Sequence, residues 1–255
     1  MELPWLFLVL KGLIKSLGLF LFLCSYVLMM FAAGSGGGME TLMTKKERIA
    51  HILEALDQTY GDLTEATLDY RNAWELLVAT VLSAQCTDAR VNQVTPDLFR
   101  KYPDVYAFSE AKQPDMEKAI HSCGFYHNKA KNLIACAKKL VSDFGGEVPS
   151  SLEDLTSLPG VGRKTANVVC GHIFHQPSIV VDTHVGRISR RLGLTKKTDP
   201  TQVEYDLMKV LPKEYWISWN LWLITFGRET CTARNPKCKT CPLREYCNSK
   251  DRTDR

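Results

Sequence analysis

Apolar residues recur at helical spacing along most of the chain after residue 43. One stripe consists of Ile49, Ile52, Leu53 and Leu56. A longer one consists of Ala130, Leu133, Ile134, Ala137, Leu140, Val141 and Phe144. Such spacing places each set on one face of an amphipathic helix, while segments 74–82 and 216–226 are apolar nearly all round, which is typical of buried helices. No segment keeps the strict alternation of a strand, so the pattern predicts an all-α fold.

Polar residues and glycines mark where several of these helices begin and end. Thr44 with Glu47 matches the capping box, in which each residue satisfies a backbone N–H of the other at a helix start. Ser150 with Glu153 repeats that pattern and predicts a further helix start. The glycines at 145–146 predict the end of the long helix, since glycine readily takes the left-handed conformation found there. The polar run SAQCTD that follows the buried helix 74–82 is predicted to face a cleft.

The most informative segment, residues 158–182, opens with a Pro-Gly-Val-Gly turn that leads into a helix. With the preceding helix it forms a predicted helix–hairpin–helix at about 152–171. The backbone amides of Gly160 and Gly162 would lie at a helix N-terminus, where they can bind a phosphate without reading bases. A turn that merely connects two packed helices is the alternative.

Lys164 and Asp182 are the candidate catalytic groups. A lysine attacks only as the neutral amine, and its ordinary pKa of about 10.4 makes deprotonation at pH 7 cost about 4.6 kcal/mol. Desolvation in a cleft and the positive end of a helix both lower that cost. Asp182 opposes them, so it is better suited to proton handling or to stabilising positive charge on a sugar. A solvated lysine paired with some acid is the alternative.

Composition narrows the class of protein only slightly. The 255-residue chain has 45% hydrophobic and 24% charged residues, which is ordinary for a globular protein. Its formal charge of +4 is too small to establish nucleic-acid binding by itself. The nine cysteines are more informative, because a secreted disulfide scaffold is normally shorter and has an even count. Metal or cluster binding in a reducing compartment fits them better.

Four of the cysteines crowd into the C-terminal tail with the spacing C-x6-C-x2-C-x5-C. They are Cys231, Cys238, Cys241 and Cys247. Four thiolates in one loop can close a zinc site or hold an iron–sulfur cluster, and zinc modules more often use two close pairs than the single close pair present here. Arginines and lysines nearby could offset the charge of an anionic cluster while contacting phosphates. Most other cysteines are predicted core residues: Cys86, Cys123, Cys136 and Cys170.

The sequence LPGVGRKTANVV at 158–169, followed by VDTHVGR at 181–187, resembles the helix-hairpin-helix DNA glycosylases and most closely the endonuclease III family. The resemblance covers about residues 44–248, including the cysteine spacing. It implies a bifunctional enzyme of base excision repair that removes an oxidised pyrimidine and then cleaves the abasic site. By that resemblance Lys164 forms a Schiff base with the sugar that undergoes β-elimination, and Asp182 assists base loss. The related adenine-mismatch glycosylases lack the lysine.

The resemblance also implies a cofactor and a partner. The four tail cysteines would hold a [4Fe-4S] cluster, and the partner would be double-stranded DNA with damaged pyrimidines or abasic sites, bound by a monomer. Gln85 and Phe125 match positions that fill the gap left by an extruded base, and Gly160, Gly162 and Arg163 match the DNA-binding hairpin. Relatives often have leucine at the Phe125 position. Without the resemblance, Phe125 would be interpreted as a core aromatic and Gln85 as a solvated helix end.

The family layout predicts two helical lobes with the active cleft between them. Residues 66–176 would form a six-helix lobe that contains the hairpin. Residues 39–65 plus 177–255 would form the second lobe, with the cluster loop at 231–247. A monofunctional DNA glycosylase is the nearest alternative among enzymes. A non-catalytic DNA-binding or redox-sensing iron–sulfur protein is the alternative from a different class.

An apolar leader with a Gly-rich linker, residues 1–38, precedes this part of the chain. Residues 17–33 carry no charge and are near the lower limit for spanning a bilayer, about 17 residues. The leader is compatible with a membrane anchor, with a signal peptide, or with a misassigned gene start and translation from Met39 or Met43. The downstream DNA chemistry favours the misassigned start and a cytoplasmic location with the chromosome.

Overall fold

The computed structural model describes residues 43–61, 63 and 67–254, so the predicted leader at 1–38 lies outside the described residues. From Thr44 onward the chain forms one compact unit. Within the described ranges it is built from eleven α-helices and four short 3-10 turns, without a strand, which confirms the all-α prediction. None of the described helices has the length and apolar character needed to cross a bilayer.

The helices follow one another with short connections. In chain order they are α1 (Lys45–Tyr60), α2 (Ala73–Leu82), α3 (Asp88–Lys101), α4 (Val105–Ser109), α5 (Gln113–Ala119), α6 (Tyr126–Phe144), α7 (Leu152–Ser157), α8 (Arg163–His172), α9 (Thr183–Arg191), α10 (Pro200–Met208) and α11 (Trp216–Glu229). The 3-10 turns cover His121–Cys123, Lys213–Tyr215, Cys238–Thr240 and Arg244–Tyr246. The all-round apolar segments are the buried helices α2 and α11, as predicted.

Two separate hydrophobic cores give the fold its two lobes. The first core takes its buried residues from Leu68 to Cys170, and fully buried Phe108 lies at its centre with the Trp74 ring edge-on at 5.0 Å. The second core joins the buried face of α1 to the chain after Ile179, including Trp219. The N-terminal helix therefore packs with the C-terminal part of the chain, and the two-lobed architecture predicted from the family layout is confirmed.

Helix ends show which of the local predictions hold. The Thr44–Glu47 capping box is present, and Gly145 ends α6 with φ +61. The prediction of a capping box at Ser150 is wrong by one residue: Ser151 caps α7 by accepting from the Asp154 amide at 3.0 Å. The Ser-Ser pair offers two registers, and Asp154 favours the second because its carboxylate also bonds to the Ser151 hydroxyl.

Candidate active site

The first part of the candidate site is the hairpin between α7 and α8. Leu158 and Val161 are buried in the first core and anchor the turn. Gly160 has φ +78, and a Cβ added there would lie 2.7 Å from the Cβ of Asn132, so only glycine fits. Gly162 has no atom within 4 Å of the equivalent position. The turn is therefore closed against α6 on one side and open to a ligand on the other.

Backbone amides at this turn are available to an anion. Within the described ranges, the amides of Gly160 and Gly162 donate to no protein acceptor, and the first bond of α8 runs from the Ala166 amide to the Gly162 carbonyl at 3.0 Å. No side chain caps α8. Unpaired amides at the positive end of a helix form an anion-binding site.

Arg163, the first residue of α8, has a carboxylate partner inside the protein. Its Nε and Nη2 atoms each donate to an oxygen of Glu204 on α10 at 2.8 Å. Glu204 is buried, and its hydrogen bonds raise the pKa of the Arg163 guanidinium. The guanidinium also lies over the Tyr205 ring, 5.1 Å from the centroid. This bidentate pair fastens the hairpin to the second lobe.

Asp182 is held in place from several sides. It is the N-cap of α9, where its Oδ1 accepts from the Val185 amide at 2.7 Å. The extended segment before it is fixed by two buried amide side chains: Asn167 Nδ2 donates to the Ile179 carbonyl and Asn220 Nδ2 to the Val180 carbonyl, both at 3.1 Å. The carboxylate therefore has little freedom to move relative to α8 and α11.

Lys164 and Asp182 line one cleft. Its volume is about 350 Å³, within the range of pockets that enclose small ligands. Lys164 is exposed and makes no ion pair with any described residue. Most of the remaining lining residues come from α2, the turn after it and the start of α3, from α8, and from α9, the segment before it and α11; they include Thr80, Ser83, Cys86, Asp88, Val168, His172, Val180, His184, Asn220, Thr225 and Arg228. The prediction that the polar run after α2 faces a cleft is confirmed.

Two histidines with lowered pKa values border the cleft. Burial lowers the pKa of His172, and the neighbouring His175 adds to that effect. Burial likewise lowers the pKa of His184, although Asp182 opposes the shift. His184 Nδ1 lies 3.3 Å from Arg187 Nη2, which fits a neutral ring that accepts there. Neutral imidazoles can donate or accept a hydrogen bond without adding charge to the site.

Some lining residues were not found from the sequence. Thr80 and Asn220 lie inside apolar helices, where a single polar residue carries no signal of its own. His172 and Arg228 look like ordinary helix-end residues. Their proximity to Lys164 depends on how α2, α8 and α11 pack, and spacing within one helix does not contain that information.

Gln85 and Phe125 are both exposed on left-handed backbone. Their φ angles are +54 and +46, a conformation that is uncommon for residues other than glycine. Phe125 is 64% exposed, so the interpretation of Phe125 as a core aromatic is wrong. Gly124, with φ +65, precedes it and makes the turn possible.

The four tail cysteines surround a single cavity, which they share with Arg191, Arg244 and Arg252. All four are half-buried free thiols. Burial raises the pKa of Cys241 to about 11 and also raises the pKa of Cys247, so a bound metal must displace the protons of these two thiols. Arg191 Nη1 lies 3.3 Å from the Cys231 sulfur. Thiol donors and nearby guanidinium groups fit an anionic cluster.

Comparison with known proteins agrees with this geometry. Residues 78–213 match the HhH-GPD superfamily of base excision DNA repair proteins, and residues 231–247 match the iron–sulfur binding domain of endonuclease III. The chain is 49% identical to endonuclease III of Synechocystis sp. over 212 residues, which cover 83% of this chain and 96% of that protein. This chain belongs to the endonuclease III family. Endonuclease III of Escherichia coli is 37% identical over 83% of this chain and its own full length.

Solved structures of endonuclease III share the fold. A trapped endonuclease III–DNA covalent intermediate aligns with a TM-score of 0.76 and 43% identity over 81% of this chain and 97% of that one. A thermostable thymine-DNA glycosylase, at 21% identity and a TM-score of 0.72, shares the fold. As an endonuclease III family member the chain is a DNA glycosylase of base excision repair with a [4Fe-4S] cluster. The non-catalytic and zinc interpretations are therefore not retained.

Proposed function

We propose that this enzyme excises oxidised pyrimidines from double-stranded DNA and then cleaves the abasic site, with Lys164 as the nucleophile. The observation that carries the proposal is the shared cleft: Lys164 from α8 and Asp182 from the start of α9 face the same space. Lys164 has no carboxylate partner among the described residues, so its amine remains available to a substrate. The solved structure of a trapped endonuclease III–DNA covalent intermediate supports the proposal by analogy.

In the proposed reaction, the neutral Nζ of Lys164 attacks C1′ of the extruded nucleotide. The bond from C1′ to the base breaks, and the base leaves with the electron pair and takes up a proton. The nitrogen then loses one proton, the C1′–O4′ bond breaks as the C=N bond forms, and O4′ takes up a proton, which gives a protonated Schiff base. Removal of a C2′ proton then expels the 3′ phosphate, and water releases the lysine. Asp182 would stabilise the positive charge that develops on the sugar during base loss.

The hairpin and two exposed side chains would hold the DNA. The amides of Gly160 and Gly162 would bind a backbone phosphate at the positive end of α8. Arg163 would position the hairpin through Glu204 and contact phosphate with its Nη1 group, which has no acceptor among the described residues. Gln85 and Phe125 would fill the gap in the duplex once the target nucleotide is extruded.

Cys231, Cys238, Cys241 and Cys247 would be the ligands of the [4Fe-4S] cluster. The bound cluster would cross-link the tail loop, while Arg191, Arg244 and Arg252 compensate its negative charge. We place the lobe limits at 66–176 and at 39–65 plus 177–255, on the support of the two separate cores. The enzyme would act as a monomer on chromosomal DNA in the cytoplasm.

The test is strand nicking of a duplex that contains one thymine glycol. Wild-type enzyme should nick the strand, and borohydride should trap a covalent complex. Lys164→Gln should abolish trapping while duplex binding persists, because the side chain keeps its polarity but loses the nucleophilic amine. Base loss without nicking by the wild-type enzyme would support a monofunctional glycosylase instead. Trapping that survives in Lys164→Gln would remove the lysine from its assigned role.

A further inference from the structure

A buried lysine lies behind the two exposed turns. Lys129, in the first turn of α6, is only 6% exposed. Its Nζ donates to the Leu82 carbonyl at 2.8 Å and to the Cys123 carbonyl at 2.7 Å. No acidic side chain pairs with it among the described residues. A buried ammonium is stable only when such acceptors surround it.

Both acceptors are backbone groups that need a partner. Leu82 is the last residue of α2, and Cys123 ends the 3-10 turn before α6. Within the described ranges neither carbonyl accepts from any other donor. The C-terminal end of a helix carries partial negative charge, so a cation there is favourable. One ammonium group thus completes the hydrogen bonding of two helical ends at once.

Each of these two carbonyls lies shortly before an exposed turn residue, here called a tip, that has left-handed backbone. Gln85 follows Leu82 by three residues, and Phe125 follows Cys123 by two. Both tips have positive φ and are exposed. Left-handed backbone at such residues persists only where the surroundings hold it. Lys129 therefore links the starting points of both turns through one ammonium group.

We propose that Lys129 is a positioning residue for duplex opening, which fixes the separation and direction of Gln85 and Phe125 so that both enter the same gap in the DNA. The inference rests on the gap-filling role proposed above for these two side chains. Lysine suits this place because its compact ammonium has three donors that can point at carbonyls from separate segments. A planar guanidinium on a longer side chain matches that arrangement less well.

The experiment compares Lys129→Met with Lys138→Met, a matched substitution at an exposed lysine of the same helix. Each protein is assayed for cleavage of an abasic site in duplex DNA and in the corresponding single strand. A shift of about 1 Å in a positioned group can cost about 100-fold. We therefore expect Lys129→Met to lower duplex kcat/KM between about 10-fold and 100-fold, and single-strand cleavage by less than about threefold. Lys138→Met should match the wild type on both substrates.

A second readout follows insertion into the duplex directly. With 2-aminopurine opposite the abasic site, fluorescence should rise when wild-type enzyme displaces the opposite base, and the rise should be smaller with Lys129→Met. Phe125→Ala should reduce the signal as well, and Lys129→Met should add little to it, since both changes act on one event.

The outcomes separate this inference from the proposed function. Equal losses on duplex and single strand, or unchanged 2-aminopurine fluorescence, would overturn the role of Lys129 while leaving Lys164 chemistry intact. If wild-type enzyme cleaves neither substrate, the proposed function fails instead. Should Lys129→Met not fold, Gly124→Ala can be tested instead, because a side chain at φ +65 strains the same turn. This substitution leaves no buried polar group without a partner, and its Cβ would meet open space. An unaltered ratio of duplex to single-strand cleavage in that variant would likewise count against the inference.

Discussion

The ion pair between Arg163 and Glu204 makes the sharpest prediction about stability. The Glu204 side chain is 4% exposed and that of Arg163 is 32% exposed. Arg163→Met removes both donors and leaves a buried carboxylate without its cation, which typically costs about 3–5 kcal/mol. Because solvent reaches part of the arginine, we expect the lower end of that range, about 3 kcal/mol. The expected loss is a large fraction of the total stability of an ordinary domain.

A double substitution tests whether the buried charge is the cause. Replacing a buried ion pair by apolar groups of similar volume is often neutral. Arg163→Met combined with Glu204→Leu should therefore recover most of the loss seen with Arg163→Met alone. Arg100→Met is the control, since Arg100 pairs with Asp97 while both side chains are more than three-quarters exposed. Such surface pairs contribute about 0–1 kcal/mol.

The assay is urea unfolding of the cluster-containing protein, followed by tryptophan fluorescence, with the midpoint and slope compared among variants. Arg163→Met costing less than about 1 kcal/mol would refute the assignment of this pair as a clamp between lobes. So would a double variant as unstable as Arg163→Met. Binding to an abasic-site duplex at several salt concentrations tests the contact with DNA. If Arg163 Nη1 contacts a phosphate, the slope of log affinity against log salt concentration should be smaller by about 1 in Arg163→Met.

Two further predictions concern the hairpin and the cleft. Gly160→Ala should destabilise the protein by about 2 kcal/mol or more, because φ is +78 and the new methyl group meets Asn132. Gly162→Ala, whose Cβ would lie in open space, should cost less than about 1 kcal/mol. The urea unfolding midpoints of the two variants measure this difference. His172 has a folded-state pKa below the ordinary value of 6.5, because burial disfavours its charged form. As the pH falls, His172 therefore takes up a proton at a higher pH in the unfolded chain than in the folded protein. The free energy of unfolding should then decrease as the pH drops below about 6.5. That slope should be shallower in His172→Gln, and unfolding curves between pH 5 and 8 measure it; identical slopes would contradict the assignment.

Local sequence was enough to determine most of the secondary structure and the nature of the chemistry. Helix faces, the Thr44 cap and the end of α6 depend on residues within one or two turns of each other, so their patterns are visible in the chain. The hairpin is equally local. The Cys spacing also lies within one loop, which is why it pointed to a metal or cluster before any folding was known. Where two local registers competed, at Ser150 and Ser151, the sequence did not distinguish them.

Tertiary structure alone decided what the side chains contact. Arg163 meets Glu204 across 41 positions in the chain, and Lys129 reaches Leu82 across 47; neither partner follows from spacing. Phe125 is an aromatic residue of the kind that usually lies in a core, and it is exposed because Gly124 and its own left-handed backbone turn it outward. Lys164 and Asp182 come to one cleft because buried amide side chains fix the segment between α8 and α9. These are long-range packing effects, and no local pattern encodes them.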